Sequence, residues 1–241
     1  MRTDIAAKTF LAVALSIAIC SAAAAAYWAW LPDVSALRVD NPRTTKYMEL
    51  YVRHRLLRGG RPAVSMQWVP LEEISPYLRH AALIAEDDRF YLHSGVDWVA
   101  LKQAAAYDIK RGKLARGAST ITQQVARNLF LSPRRSPMRK LKEVLIARHL
   151  DRTLEKDRIL EIYLNIVEWG VGIFGAESAS QAYFQKHASD LSPEEAVALV
   201  AALPSPYRLN PDQNPDSLTT RKIEVYLQRM RRAGYIRPPE D

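Results

Sequence analysis

An all-α domain preceded by one N-terminal transmembrane helix is the fold the sequence predicts. Three observations point to it: an uncharged run over residues 9–31, helix start and stop signals that recur through the rest of the chain, and a single segment, Val64 to Trp68, that alternates as a strand does.

The run from Thr9 to Leu31 holds 23 residues without an Asp, Glu, Lys or Arg. At a helical rise it reaches about 34 Å, enough to span a bilayer. Arg2 and Lys8 precede it and Tyr27, Trp28 and Trp30 close it, which suits a cytoplasmic N-terminus and an interfacial aromatic belt. Small residues through Ala26 keep a cleaved signal peptide open as the alternative. In either case the rest of the chain leaves the cytoplasm.

Beyond this segment the helices announce themselves by their caps. Ser75-Pro76 predicts a helix to about Phe90, and Asp97 one that ends near Gly112. Thr120 with Gln123 forms a capping box at the next start. Ser136-Pro137 opens a long helix to about Leu154, and Asp157 caps another that closes at Gly170. Ser192-Pro193-Glu194-Glu195 introduces AVALVAAL, apolar enough for a central buried helix, and the last helix runs from about Asp216 to Gly234.

Composition narrows the function. The 241 residues are 48% hydrophobic and 25% charged, a profile that excludes disorder, collagen and coiled coil. The single cysteine, Cys20, can form neither an internal bridge nor a structural zinc site. A net charge of +8 calls for an anionic partner, whether nucleic acid, anionic lipid or a phosphorylated substrate. The chain lacks a phosphate-binding G-x-x-x-x-G-K-[ST] loop, an H-E-x-x-H zinc motif and the S-x-x-K and K-T-G pair of penicillin-binding acyltransferases. Carboxylates and basic side chains must therefore carry the chemistry.

Two carboxylates stand in unusual company. On the predicted helix Glu86 neighbours Ala82, Leu83 and Phe90, whereas Asp87 and Asp88 can face water. A carboxylate desolvated in this way holds its proton more tightly, as a general base or acid must. The plain alternative is a surface acid or structural ion pair. Glu143 begins an apolar stripe continued by Ile146, Ala147, Leu150 and Leu154, with Arg139 one turn before it. A buried carboxylate needs a cationic partner or a function. An ordinary Arg139–Glu143 surface pair is the competing account.

Between residues 127 and 158 ten basic side chains face four acidic ones, so six of the eight net positive charges fall in this stretch. Such a run is commonly a solvated face or one attracted to anionic lipid. The sharper reading is a pyrophosphate site, with Arg134-Arg135 just before a helix start whose free N–H groups add to anion binding.

Four segments, taken together, resemble the ordered motifs of the peptidoglycan glycosyltransferases, the family of monofunctional transglycosylases and of the glycosyltransferase half of bifunctional penicillin-binding proteins. They are EDDRFYLHSG from Glu86, GASTITQQ from Gly117, RKLKE from Arg139 and ILEIYLN from Ile159; GIFG from Gly172 through Tyr183-Phe184 resembles a fifth. The resemblance implies a lysozyme-like domain with a small membrane-proximal jaw. It divides the chain into a cytoplasmic N-terminus (1–8), an anchor (9–31), a membrane-proximal linker or helix (32–60), the glycosyltransferase domain (61–236) and a tail (237–241).

The activity so implied is polymerisation of lipid II on the extracytoplasmic side of the inner membrane. Glu86 matches the family's base, which takes the proton of the acceptor GlcNAc 4-hydroxyl as it attacks the donor MurNAc C1, and Glu143 matches its second glutamate. Ser119, Gln123, Gln124, Arg127, Asn128, Arg135, Arg139 and Lys142 map to positions that hold donor phosphates and sugars. The family usually has Lys where this chain has Arg127, which keeps the charge and changes its geometry. Expected partners are lipid II and the growing lipid-linked glycan, membrane lipid and other cell-wall synthesis proteins, with no nucleic acid. No cofactor is required and no metal-ligand spacing is visible; a divalent cation at the pyrophosphate is left open. Two other readings remain at this point. A lysozyme-like hydrolase or lytic transglycosylase explains Glu86 but leaves the basic cluster idle, and a non-enzymatic basic membrane scaffold uses only the charge.

Overall fold

The computed structural model describes residues 10–22, 31–111, 119–134, 136–204 and 217–236. It divides the chain into two compact units, Met1–Asp33 and Val34–Asp241. In the first, residues 10–22 are helical. No helix among the described residues is long and apolar enough to cross a membrane. Residue 9 and residues 23–30 of the expected span lie outside the described residues.

The second unit is mostly helical. Its helices are α1 (Lys46–Leu57), α2 (Pro76–Glu86), α3 (Trp98–Arg111), α4 (Ile121–Phe130), α5 (Pro137–Thr153), α6 (Lys156–Ile166), α7 (Ala176–Phe184), α8 (Pro193–Ala202) and α9 (Ser217–Arg232). The starts read at Ser75, Asp97, Thr120, Ser136 and Ser192 are made by those caps. Asp97 Oδ1 accepts the N–H groups of Val99 and Ala100, both at 2.9 Å. Thr120 with Gln123 and Ser192 with Glu195 close complete capping boxes, and Ser136 Oγ accepts the Arg139 N–H at 3.1 Å.

Around these caps the apolar faces lock together. Helix α4, buried along most of its length, packs on α5 and α6, while α8 packs on α2 and α9. Ile121, Val125, Ile146, Leu150, Ile162 and Leu164 are all fully buried, as are Leu78 and Ala81 of α2. The AVALVAAL segment is the buried helix it was expected to be, with Ala196, Val197, Leu199, Val200, Ala201 and Ala202 inside.

Three expectations need correction. First, the domain is not wholly helical: Ser65–Met66 (β1), Glu168–Gly170 (β2) and Ile173–Phe174 (β3) form a sheet in the order β1-β3-β2, with β1 parallel and β2 antiparallel to β3. β1 lies inside Val64–Trp68, the one segment read as a strand, whereas β2 and β3, of three and two residues, are too short to show an alternating pattern. Second, α6 begins after Glu155, not Asp157, and ends at Ile166, because the chain turns at Val167 into β2. Third, α2 stops at Glu86, four residues before the expected end. Helix α7 carried no start signal at all; its N-cap is Gly175 at φ 83°, where a Cβ would stand 2.7 Å from the Asn165 carbonyl oxygen.

Side chains far apart in sequence hold the framework. Asn165 exchanges both hydrogen bonds with the Val69 backbone, at 3.0 and 2.9 Å. Arg158 bonds to Glu161, the carbonyls of Leu37 and Asp40 and the side chain of Asn41, which pins residues 37–41 against α6. Lys156 donates to the His93 carbonyl at 2.6 Å and to Asp151 at 2.5 Å while lying 4.6 Å from the Phe90 ring centre. Gly95, at φ 80°, lets the loop after α2 lie on the α5 backbone, where a Cβ would meet the Ala147 oxygen at 2.6 Å.

Candidate active site

The early end of α2 creates the site. The Asp87 carboxylate bonds with His93 Nε2 at 3.0 Å from each oxygen and accepts the Ile121 N–H at 3.0 Å. The backbone leaves the helix at Asp87 with φ −162°. Asp87, expected to face water, is instead buried, and it ties the end of α2 to the start of α4. Asp88 does face solvent and pairs with Arg229 of α9 at 3.2 Å.

Glu86, the last residue of α2, lines a cavity of about 290 Å³ with Ala85, Gln103, Ala104, Ser119, Thr120 and Arg229. Phe90 is not its helical neighbour, since it sits in a separate 3₁₀ turn, Phe90–Leu92. The desolvation expected from that spacing is nonetheless present and comes from the cavity walls. Burial pushes the Glu86 carboxyl above its ordinary value, and the neighbouring Asp87 adds to this; the Gln124 hydrogen bond and the charges of Arg127 and Lys222 oppose it. The Gln124 Nε2 amide donates to Glu86 Oε2 at 2.6 Å.

Helix α4 supplies four of the expected site residues. Thr120 and Gln123 fix where the helix starts, with Gln123 Oε1 accepting the Thr120 N–H at 3.0 Å, so this oxygen is committed to the cap. Gln124 then points to Glu86. Arg127, one turn on, is close enough for its charge to act on that carboxylate. Asn128 is buried on the same helix.

Glu143 lies on α5 and has no exposed surface. Arg139 donates to its Oε2 and Lys140 to its Oε1, each at 2.5 Å. Lys140 also donates to Ser119 Oγ at 3.0 Å, and Ser119 lines the Glu86 cavity. A chain of direct contacts thus runs from Glu143 through Lys140 to the wall of that cavity. Lys142 is half-buried on α5, and Arg135 lies outside the described residues.

Sequence reasoning passed over four participants. Lys140 precedes Glu143 by three residues, a spacing as good as the four of Arg139, and could have been named on that ground. Tyr163 of α6 is fully buried, its hydroxyl has no hydrogen-bond partner, and burial, with the nearby Glu86 charge next, holds its proton far more tightly than usual. No pattern in ILEIYLN singles it out. The α9 cations Arg229 and Lys222 reach the site from the far end of the chain, which local spacing cannot show.

Among the described residues no three His, Cys, Asp or Glu side chains are grouped to hold an ion, and both oxygens of Glu143 are occupied by cations.

A desolvated carboxylate in a cavity, backed by cations on adjoining helices, defines an enzyme site suited to acid–base work beside an anionic group. The chain belongs to the transglycosylase family, whose model matches residues 54–231. Relatives named biosynthetic peptidoglycan transglycosylase include one from Chromobacterium violaceum, 41% identical over 84% of this chain and 87% of its own. Others come from Janthinobacterium sp. (strain Marseille), 44% identical over 80% and 84% respectively, and Aromatoleum aromaticum, 45% identical over 73% and 76%.

Proposed function

We propose that this protein is a monofunctional peptidoglycan glycosyltransferase that builds glycan strands for the cell wall. The observation that carries the reading is Glu86, desolvated in its cavity and aligned by Gln124. Glu86 takes the proton of the acceptor GlcNAc 4-hydroxyl while that oxygen bonds to the donor MurNAc C1. The bond from C1 to the pyrophosphate oxygen breaks, its electron pair leaves with undecaprenyl pyrophosphate, and C1 inverts. A leaving pyrophosphate requires charge stabilisation, not protonation, so cations take the place of the second acid of a glycosidase. Arg139 and Lys140, oriented by Glu143, and Arg127 supply that charge. With both oxygens of Glu143 bound by donors, neither is left to protonate a leaving group, which disfavours a two-carboxylate hydrolase.

The substrates in this reading are lipid II and the lipid-linked strand, handled by a lysozyme-like domain whose small jaw sits near the membrane. Residues 9–31 anchor the chain in the inner membrane with the catalytic unit outside the cytoplasm; the uncharged run supports this. No resident cofactor enters the scheme, and a divalent cation would arrive bound to the pyrophosphate. Purified protein mixed with lipid II in detergent should give polymer. Shortened glycan from preformed strands, without polymer from lipid II, would replace this reading by the hydrolase. N-terminal sequencing of the native protein tests the anchor, and a start near Tyr27 would show a cleaved signal peptide.

A further inference from the structure

A second cavity, of about 670 Å³, adjoins the one that holds Glu86: Ile84, Asp87, Asp88 and Arg229 line both. Its polar groups are unevenly satisfied. All three of its carboxylates are engaged, Asp87 by His93 and the Ile121 N–H, Asp88 by Arg229, and Asp157 by the Tyr91 hydroxyl at 2.8 Å. Arg79 and Arg232 line the same cavity, and neither has a carboxylate partner among the described residues.

Two buried atoms there are unpartnered as well. Arg79 Nε and His80 Nδ1 have no surface and no hydrogen-bond partner. Buried polar nitrogens are ordinarily bonded, so two orphans on consecutive residues leave this wall of the cavity short of internal acceptors. His80 is held flat against Tyr235, ring centres 3.6 Å apart and planes within 7°. Burial, followed by the Arg79 charge, lowers its pKa, so the ring is neutral at pH 7 and can offer a hydrogen bond without adding charge.

The shape of the cavity limits the ligand. Its volume is that of a small-molecule site and far exceeds a bare anion, and Leu71, Leu83 and Leu160 give it apolar walls. A planar carboxylate matches the guanidinium fork of arginine, and a short chain of small residues fills the remaining space. We propose that this cavity is a subsite for a short peptide ending in a free carboxylate, which Arg79 and Arg232 bind. The proposal rests on the reading of Glu86 as the base that receives a peptidoglycan acceptor, because such glycan units carry peptides with free carboxyl ends. The acceptor's own peptide and a free peptide are the two sources of this chemistry.

The test uses the full chain in detergent with two probes, an N-acetylated alanine dipeptide as the free acid and as its carboxamide, followed by calorimetry and NMR. The free acid should bind at least tenfold more tightly than the carboxamide, and Arg79→Gln and Arg232→Gln should each erase most of that preference with unchanged thermal melts. Arg232 is exposed, so its variant keeps the test valid if Arg79→Gln misfolds. Equal affinity for acid and carboxamide, or an unaltered preference in a folded Arg232→Gln, overturns the subsite. Lipid II polymerisation by the parent is measured alongside: polymer with no acid preference removes the subsite and leaves the glycosyltransferase reading standing, while acid preference without polymer does the reverse. If the subsite serves the acceptor, peptide-bearing acceptor has a lower KM than peptide-free acceptor; equal KM values assign it to free peptide.

Discussion

Gln124 Nε2 stands 2.6 Å from Glu86 Oε2, a contact between residues 38 apart in sequence. It couples the end of α2 to the first turn of α4, and the same two elements are tied again by Asp87 and the Ile121 N–H. The base and the helix that carries Gln124 and Arg127 are therefore positioned as one piece. Adjacent carboxylates divide the work: Glu86 faces the cavity and Asp87 holds the frame.

Glu86→Gln should abolish polymerisation without loss of fold. Removing a general base lowers turnover by about 10²–10⁴-fold. The amide oxygen can still accept from Gln124, so the geometry survives. Stability moves the other way. An acid whose folded pKa is raised contributes stability fully present below its unfolded value and lost as pH rises through the folded one. Above the unfolded value the buried Glu86 carboxyl is therefore a net cost, and at neutral pH the variant should melt at or above the parent temperature. Turnover within threefold of the parent would remove Glu86 from the role of base.

Gln124→Leu should change the pH profile more than the maximal rate. The Gln124 amide favours the charged carboxylate, so its loss lets burial push the Glu86 pKa higher still. The acid limb of the activity profile then moves to higher pH, with recovery above it. Profiles of parent and variant between pH 5 and 9, taken with a common detergent and substrate, check this (about four units, wide enough for shifts of the usual one to two). An acid limb that stays in place would mean that the 2.6 Å contact does not govern the base.

Much of the helical frame was legible because caps are local. Thr120 with Gln123 and Ser192 with Glu195 are three residues apart, and their bonds form whatever the rest of the chain does. The burial of Glu143 was also readable, since an apolar stripe at i+3, i+4 and i+7 places its own face inward. What could not be read depends on distant partners. Helix α2 ends at Glu86 because Asp87 bonds with an N–H 34 residues away. Lys156 and Arg158 looked like part of an anion-binding run, yet both are used to hold backbone carbonyls.

Asp87→Asn should lower both stability and turnover. Its two oxygens serve a histidine and a backbone N–H in a nearly closed space, and an amide replaces one acceptor with a donor. Loss of a buried hydrogen bond to a charged group costs about 1.5–3 kcal/mol. Turnover falls because the start of α4, and with it Gln124, loses its tie to α2. Thermal melts together with the Gln124-dependent acid limb check the link: a variant that melts lower but keeps the parent pH profile would confine Asp87 to stability alone.

Glu143→Gln and Lys140→Met should separate the framework role of this cluster from its charge. Glu143 has no exposed surface, while the side chains of Arg139 and Lys140 keep 17% and 43% exposure. Breaking a buried pair typically costs about 3–5 kcal/mol, and the access of both cations to water places this case at or below the lower end. Glu143→Gln keeps a hydrogen-bond acceptor but releases two cations from their fixed positions, so it should remain folded, melt lower and turn over slowly. Lys140→Met leaves Glu143 paired with Arg139 and removes the link to Ser119. It should therefore perturb the melt less than Glu143→Gln does, yet weaken binding of a lipid-pyrophosphate analogue as well as turnover, because a cation beside the cavity acts on the bound and the leaving phosphate alike. Analogue affinity, turnover and melts are measured for the two variants side by side. Parent-like affinity in Lys140→Met would show that Lys140 serves only to neutralise Glu143, and that the donor phosphates lie elsewhere on the basic face.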